Sequence, residues 1–187
     1  MCFFEGNILG EVNESKYLGI DFNNKLNWED CRKKRILGGW KALYALQNTC
    51  REAELWDWKM IKVLFGLLVC PVTLYGCKLW ASGTPVSKWK QIEEIQKRLI
   101  MSKLKIKILV PYGIILSETR VTPIEAISMV RLIRCLKRIK QMGGGRWPKV
   151  VFNEGMSERK KSWMRQNNKW MQKWNSYLNV VPQIERS

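Results

Sequence analysis

The stretch from Val63 to Cys77 holds fifteen consecutive uncharged residues, bracketed by Lys62 and Lys78 and broken at Pro71. No other feature narrows the fold as much, because a run this apolar has to leave water. It falls short of the ~20 residues that a membrane-spanning helix needs, so no transmembrane segment is predicted and a buried core segment is. Residues 52–69 are apolar on most sides, with Leu55, Trp56, Met60, Ile61, Val63, Leu64, Phe65, Leu67 and Leu68. They predict the central helix of a bundle, which Pro71 ends or kinks by removing a donor and crowding the preceding turn.

The segments around this helix follow helical periodicity. From Trp28 onward Ile36, Trp40, Leu43 and Tyr44 share one face, behind a crowd of cations at Arg32, Lys33, Lys34 and Arg35. Gly38-Gly39 inside the run weakens the helix by about 1 kcal/mol per glycine, so close packing or a flexible point is expected there. After the loop at 81–85, Trp89, Ile92, Ile95 and Leu99 recur every three to four positions and predict a second amphipathic helix. Thr122-Pro123-Ile124-Glu125 reads as a capping box: threonine at the N-cap, proline first in the helix and glutamate third. The helix it opens carries Ile127, Val130, Ile133 or Arg134, and Leu136, and ends at Gly143-Gly144-Gly145.

Before Trp28 the chain reads as strand. Cys2-Phe3-Phe4 and Lys16-Tyr17-Leu18-Gly19-Ile20 flank a polar connection, Gly19 suggests a kink or bulge, and Asn23-Asn24 is turn chemistry. The predicted fold is therefore mainly α, a helical bundle with a short N-terminal β-hairpin. Its expected parts are a hairpin at 1–27, a helical domain at 28–142, and a Gly-rich linker with a basic, Trp-rich helix at 143–187.

Charge limits the partners. Thirty-three Lys and Arg against sixteen Asp and Glu give a formal +17, an excess that repels itself in a compact monomer unless a polyanion offsets it. Nucleic acid is the first candidate and an anionic membrane surface the second. Residues 131–173 carry thirteen Lys or Arg against two Glu. In this region Trp163, Trp170, Trp174 and Tyr177 fall near one helical face, with Arg159, Lys160, Lys161, Arg165, Lys169 and Lys173 filling much of the rest. Such a helix can stack on bases and grip phosphates, pack a core, or lie on lipid headgroups. Trp40, Trp56 and Trp89 each lie on an apolar stripe and are expected in the core.

Catalytic chemistry finds little here. The chain has no histidine, which removes the usual neutral-pH base and the commonest metal ligand. Its six cysteines include no Cys-x-x-Cys pair, so zinc is not expected. Met1-Cys2-Phe3-Phe4 runs straight into polar residues rather than a secretory signal. The cysteines therefore read as free, partly buried thiols in an intracellular, reducing compartment, nucleus or cytoplasm. The adjacent acidic pairs, Glu29-Asp30 and Glu93-Glu94, sit among cations as a solvated surface would. No phosphate-cradling Gly-x-x-x-x-Gly-Lys is present.

Five segments, in order over residues 15–142, resemble the part of a non-LTR (LINE-type) retrotransposon reverse transcriptase that follows the catalytic palm. Ser15-Lys16-Tyr17-Leu18-Gly19-Ile20 resembles the primer-grip strand, and Leu26-Asn27-Trp28 the L-x-W that opens the thumb. Cys70 to Trp80 is similar to the signature P-x-x-x-Y-G-x-x-x-W. Ile92 to Arg98 resembles the E-x-x-Q-(R/K)-(R/K) helix. Leu116 to Ile124 is similar to L-x-x-E-x-G-x-x-P-I, with Arg120 in place of glycine.

The resemblance implies a thumb-like bundle and primer grip that bind RNA, DNA or an RNA–DNA duplex without regard to sequence. Tyr17, Leu18 and Gly19 would position the primer terminus, and Lys33, Lys34, Arg35 and Lys41 would meet phosphates. From the basic tail, Arg159, Lys160, Lys161, Arg165, Lys169, Trp170 and Lys173 are the binding candidates. The paired catalytic aspartates are absent from this sequence, so the expectation is a truncated, non-catalytic fragment with no cofactor of its own. The magnesium ions of intact members belong to the palm. An apolar face near the hairpin and first helix, lacking its palm partner, is expected to be exposed. The open alternatives are a stand-alone basic module on RNA or membrane, or an unselected relic.

Overall fold

The structure, a computed structural model, describes residues 2–4, 7–9, 12–24, 28–106 and 110–157. The fold is mainly α with short N-terminal hairpins, as the sequence predicts. Strands β1 (Cys2–Phe4) and β2 (Asn7–Leu9) pair antiparallel, as do β3 (Glu14–Tyr17) and β4 (Ile20–Asn23). Two tight hairpins thus replace the single long-range pair expected between Cys2-Phe3-Phe4 and Lys16–Ile20. Each strand finds a partner a few residues away, so no long connection has to be closed.

The second hairpin corrects the reading of Gly19. Tyr17 pairs with Ile20, leaving Leu18 and Gly19 as a two-residue loop with φ of 47° and 75°. Positive φ at both central residues marks a type I′ turn, whose twist matches the flanking strands. Gly19 supplies the turn and not a bulge, while Leu18 takes a conformation costly for a branched L-residue. Asn24 closes the open end, its N–H on the Asn13 carbonyl at 3.0 Å and its side-chain amide on Asn13 Oδ1 at 3.1 Å.

Helix α1 (Glu29–Glu52) is the longest element among the described residues and buries Cys31, Gly39, Leu43, Leu46 and Cys50, with Tyr44 left outside. The inward face is rotated away from Tyr44 because Gly39 is where the central segment crosses. A methyl there would lie 2.5 Å from Thr73 Oγ1 and 2.9 Å from Ile95 Cδ1. The Gly38-Gly39 pair is therefore a crossing point and not a hinge.

The predicted central helix starts late and continues past its proline. Asp57 caps α2 (Trp58–Leu64), accepting from the Lys59 and Met60 N–H groups at 3.3 and 3.1 Å. One π-helical turn, Phe65–Val69, then leads into α3 (Cys70–Thr73), with the Cys70 N–H on the Phe65 carbonyl. Pro71 lacks a donor and crowds the carbonyl four residues back. The wider turn ahead of it absorbs that misfit, and the helix runs on. Thr73 Oγ1 donates to the Val69 carbonyl at 2.9 Å. After Gly76 the chain forms α4 (Cys77–Trp80) and a 3₁₀ turn, Ala81–Gly83.

Helix α5 (Val86–Lys103) buries Trp89, Ile92, Ile95 and Leu99 as its periodicity predicts, and Gln96 with them. Then come α6 (Tyr112–Thr119), α7 (Ile124–Gln141) and α8 (Trp147–Ser157). The capping box is not what starts α7. The helix begins one residue later, with Pro123 at the cap, and Gln96 of α5 takes the place of the threonine. Its Oε1 accepts from the Ile124 N–H at 3.1 Å and from the Tyr112 hydroxyl, while its Nε2 donates to the Thr122 carbonyl at 2.9 Å.

One core joins α1 through α5 with Ile124 of α7, around the fully buried Trp80, Leu43, Ile61, Leu74, Ile92 and Ile95. The inward face of α7 is Ile124, Ser128, Met129, Leu132 and Leu136. Leu136 is buried as predicted, whereas Ile127, Val130 and Ile133 are only half-buried and their immediate neighbours take the inward positions. Beyond the Gly143–Gly145 turn, α8 folds back and packs Phe152 against Leu132, Leu136 and Ile139. Among the described residues no single helix is long and apolar enough to cross a membrane.

Candidate nucleic-acid interface

The β3–β4 turn is held from two sides. Tyr75, in the turn between α3 and α4, donates its hydroxyl to the Leu18 carbonyl at 2.6 Å. Arg35 of α1 donates to the Gly19 carbonyl at 2.5 Å, and its guanidinium lies 4.7 Å from the centre of the Tyr75 ring. A methyl on Gly19 would stand 3.6 Å from that ring. Tyr75 is in turn fixed by Trp80, whose Nε1 donates to the Tyr75 carbonyl at 3.0 Å. Gly76 follows at φ 67°, and a methyl there would lie 2.9 Å from Ile20 Cδ1. Residues 57 positions apart thus form one unit, with the fixed backbone facing inward. The Tyr17 and Leu18 side chains face water, 67% and 72% exposed.

Beside this turn runs the outer side of α1. Lys33, Lys34 and Lys41 share it with Asp30, Leu37 and Tyr44, all exposed. Lys33 pairs with Asp30 at 3.6 Å, and Lys34 with Asp21 of β4 at 2.9 Å. The Asp21 carboxylate bound to it pushes the Lys34 ammonium above its usual range. Trp40 stacks on Tyr44, ring centres 5.9 Å apart, next to Lys41. Arg35, read from the sequence as a phosphate contact, is on another side of the helix. Its guanidinium is committed to the turn and its Nε is buried without a partner. Phe22 of β4 meets Trp28 edge-on at 5.5 Å, which closes the hairpin against the start of α1. The remaining candidates, Arg159, Lys160, Lys161, Arg165, Lys169, Trp170 and Lys173, lie outside the described residues.

Of the two acidic pairs, Asp30 and Glu94 lie exposed, whereas Glu29 and Glu93 are half-buried. Glu29 bridges Arg32 at 3.1 Å and Lys88 at 3.0 Å, and Lys88, then Arg32, hold its carboxyl below the usual range. Glu93 is half-buried rather than solvated; burial, and then the charge of Glu125, push its carboxyl upward. No group of three or more Asp, Glu, His or Cys among the described residues could hold a metal ion. Cys31, Cys50, Cys70 and Cys77 are buried free thiols. Burial pushes the Cys70 thiol up to about 11 and raises Cys77 as well.

One surface escaped the sequence reading and a second was expected only in part. Trp56, expected in the core, is 68% exposed. It sits in the loop between α1 and α2, at the mouth of a cleft of about 220 Å³ lined also by Gln47, Arg51, Arg98, Ser102 and Lys103. The second surface is apolar: Met60, Val63, Leu67, Leu68 and Val72 along α2–α3 are exposed, as are Leu37 and Tyr44 on α1. An exposed face near the first helix was expected, but most of it belongs to the predicted central helix. That helix covers the bundle with one side only.

Scans of the chain against family models, curated proteins and solved structures found no match.

Proposed function

We propose that this chain binds template–primer nucleic acid as a primer-grip and thumb unit resembling that of a LINE-type reverse transcriptase, and does not itself polymerise. The observation that carries the reading is the docking of the Tyr17-Leu18-Gly19 turn by Tyr75 and Arg35. Two segments that resemble separate motifs of that family meet in one rigid corner. The corner presents Tyr17 and Leu18 to solvent at one end of the cationic side of α1. Two further contacts support it. Gln96, from the segment similar to E-x-x-Q, caps the helix that follows Thr122-Pro123-Ile124. Arg120, standing where the resembled pattern has glycine, is the left-handed C-cap of α6 at φ 49° and ψ 43°.

In this reading a strand terminus rests on Tyr17 and Leu18, and Lys33, Lys34 and Lys41 meet the phosphates of the adjoining duplex. Those contacts position a helix without reading its bases, so binding tolerates any sequence. The magnesium-dependent palm chemistry would come from another segment, and the compartment would be nucleus or cytoplasm. A second reading, a basic module seated on an anionic membrane surface, is favoured by the exposed apolar residues of α2–α3 beside those lysines.

Deletion of residues 158–187 separates the two. Cutting after Ser157 leaves Phe152 on Leu132 and Leu136, which a cut at Gly145 would strip. The thumb reading expects the shortened chain still to bind an RNA–DNA hybrid. Hybrid binding that vanishes with the tail, or retention on anionic vesicles alone, contradicts it.

A further inference from the structure

We propose that the cleft between the C-terminal half of α1 and the end of α5 binds one unpaired nucleotide of a single strand, its base on Trp56 and its phosphate among Arg51, Arg98 and Lys103. The inference rests on the nucleic-acid reading above and adds a site for single strands to it. Four observations converge. An indole left 68% exposed beside a bundle core contributes little to folding. Three cations line the same cleft without an acidic side chain among its walls. No salt bridge among the described residues includes any of the three, which leaves their charges to an anion from outside the fold. The indole already attracts a cation of the cleft: Lys103 Nζ lies 5.3 Å from its ring centre.

The polar wall is built as well. Gln47 Nε2 donates to Ser102 Oγ at 2.9 Å, and Ser102 Oγ donates to the Leu99 carbonyl at 2.9 Å. This chain of hydrogen bonds ties α1 to α5 and leaves the Gln47 carbonyl oxygen to accept from a base. At about 220 Å³ the cleft is open and smaller than the ~300–1,000 Å³ pockets that engulf a free small molecule. A nucleotide of a strand passing over the surface needs no such enclosure. Cations for the phosphate and an aromatic face for an unpaired base are how sequence-tolerant single-strand sites work. A duplex offers no free base face, so the cleft and the turn region of the previous section divide single strand from duplex.

The test is fluorescence anisotropy of the full chain and its Trp56→Ala, Trp56→Phe and Arg98→Ala variants. The probes are labelled oligo(dT) and an abasic strand of equal length, with an RNA–DNA hybrid as a check on the parent reading. Trp56→Ala is expected to weaken oligo(dT) binding roughly 5- to 150-fold, the range of one base stack, and abasic-strand binding less than twofold. Trp56→Phe should recover most of the loss, and Arg98→Ala should weaken both strands alike. Urea midpoints confirm that the variants fold. Equal effects of Trp56→Ala on both strands, or none, overturn the cleft proposal while hybrid binding by the full chain leaves the parent reading standing. If the full chain binds no nucleic acid, both fall. Trp56-dependent binding to phosphatidylserine vesicles without binding to oligo(dT) overturns the cleft proposal in favour of a lipid site.

Discussion

Replacing Gly39 by alanine should destabilise the protein, although alanine is the better helix former. Gly39 lies in the interior of α1, where the exchange alone would contribute about 1 kcal/mol of stability. The added methyl, however, would lie 2.5 Å from Thr73 Oγ1, 2.9 Å from Ile95 Cδ1 and 3.2 Å from Thr73 Cγ2. Thr73 and Ile95 are both completely buried, so neither can move aside into solvent. Overpacking of this kind costs about 1–3 kcal/mol. Moving the Thr73 hydroxyl also weakens its bond to the Val69 carbonyl in the π turn, about another 1 kcal/mol. The net expectation is a loss of about 1–3 kcal/mol, read as a lower urea midpoint by circular dichroism. Gly66→Ala is the internal control, because a methyl there meets nothing within 4 Å. It should be neutral or raise the midpoint. A Gly39→Ala midpoint at or above that of Gly66→Ala refutes the crossing of α1 over α3 as described.

Other consequences can be checked the same way. Gln96→Ala leaves the Ile124 N–H, the Tyr112 hydroxyl and the Thr122 carbonyl without their partner, and should cost about 2–5 kcal/mol in urea denaturation; a loss below that of an exposed glutamine such as Gln91 contradicts the cap. Arg120→Gly relieves a left-handed arginine and should add about 1 kcal/mol of stability, read as a higher urea midpoint. The Cys70 thiol titrates near 11 when folded, against 9.0 for an ordinary thiol, so the folded state keeps a proton that the unfolded state releases. Its contribution to stability is full below about pH 9 and is lost as pH rises towards 11, with Cys77 and Tyr112 raised in the same direction by burial. Urea midpoints should therefore fall from pH 8 to about pH 10.5, and less so in Cys70→Ala.

What could be read from the sequence was what local periodicity fixes. The stripe Trp89-Ile92-Ile95-Leu99 is buried as spaced, because a helix with one apolar face has one way to hide it. Tyr44 and Trp56 were misplaced for a related reason. Tyr44 lies in apolar surroundings in sequence, but which side of α1 turns inward was set by Gly39, and only the partner helix reveals that; Trp56 lies beyond the end of α1, in a loop where helical periodicity no longer fixes burial. Pro71 looked like a breaker because the π turn that accommodates it leaves no mark in residue type. The capping box failed where a long-range partner was available: Gln96 reaches α7 from 28 residues away. In the candidate site, the cations at Lys33, Lys34 and Lys41 were legible as charge on one helical side. The inward commitment of Arg35 was not, because it depends on Tyr75, which arrives 40 residues later. The Trp56 cleft was invisible for the same reason, since its walls come from α1, a loop and α5.

The central claim, that the outer side of α1 meets nucleic-acid phosphates, is tested most directly by the salt dependence of binding to an RNA–DNA hybrid. Each phosphate contact contributes a slope of roughly −0.9 in log K against log salt. The full chain should show a steep negative slope, and the triple variant Lys33→Ala, Lys34→Ala, Lys41→Ala should flatten it by about 2–3 while its urea midpoint stays close to that of the parent. A slope unchanged by the triple variant, or no binding even at low salt, contradicts the account.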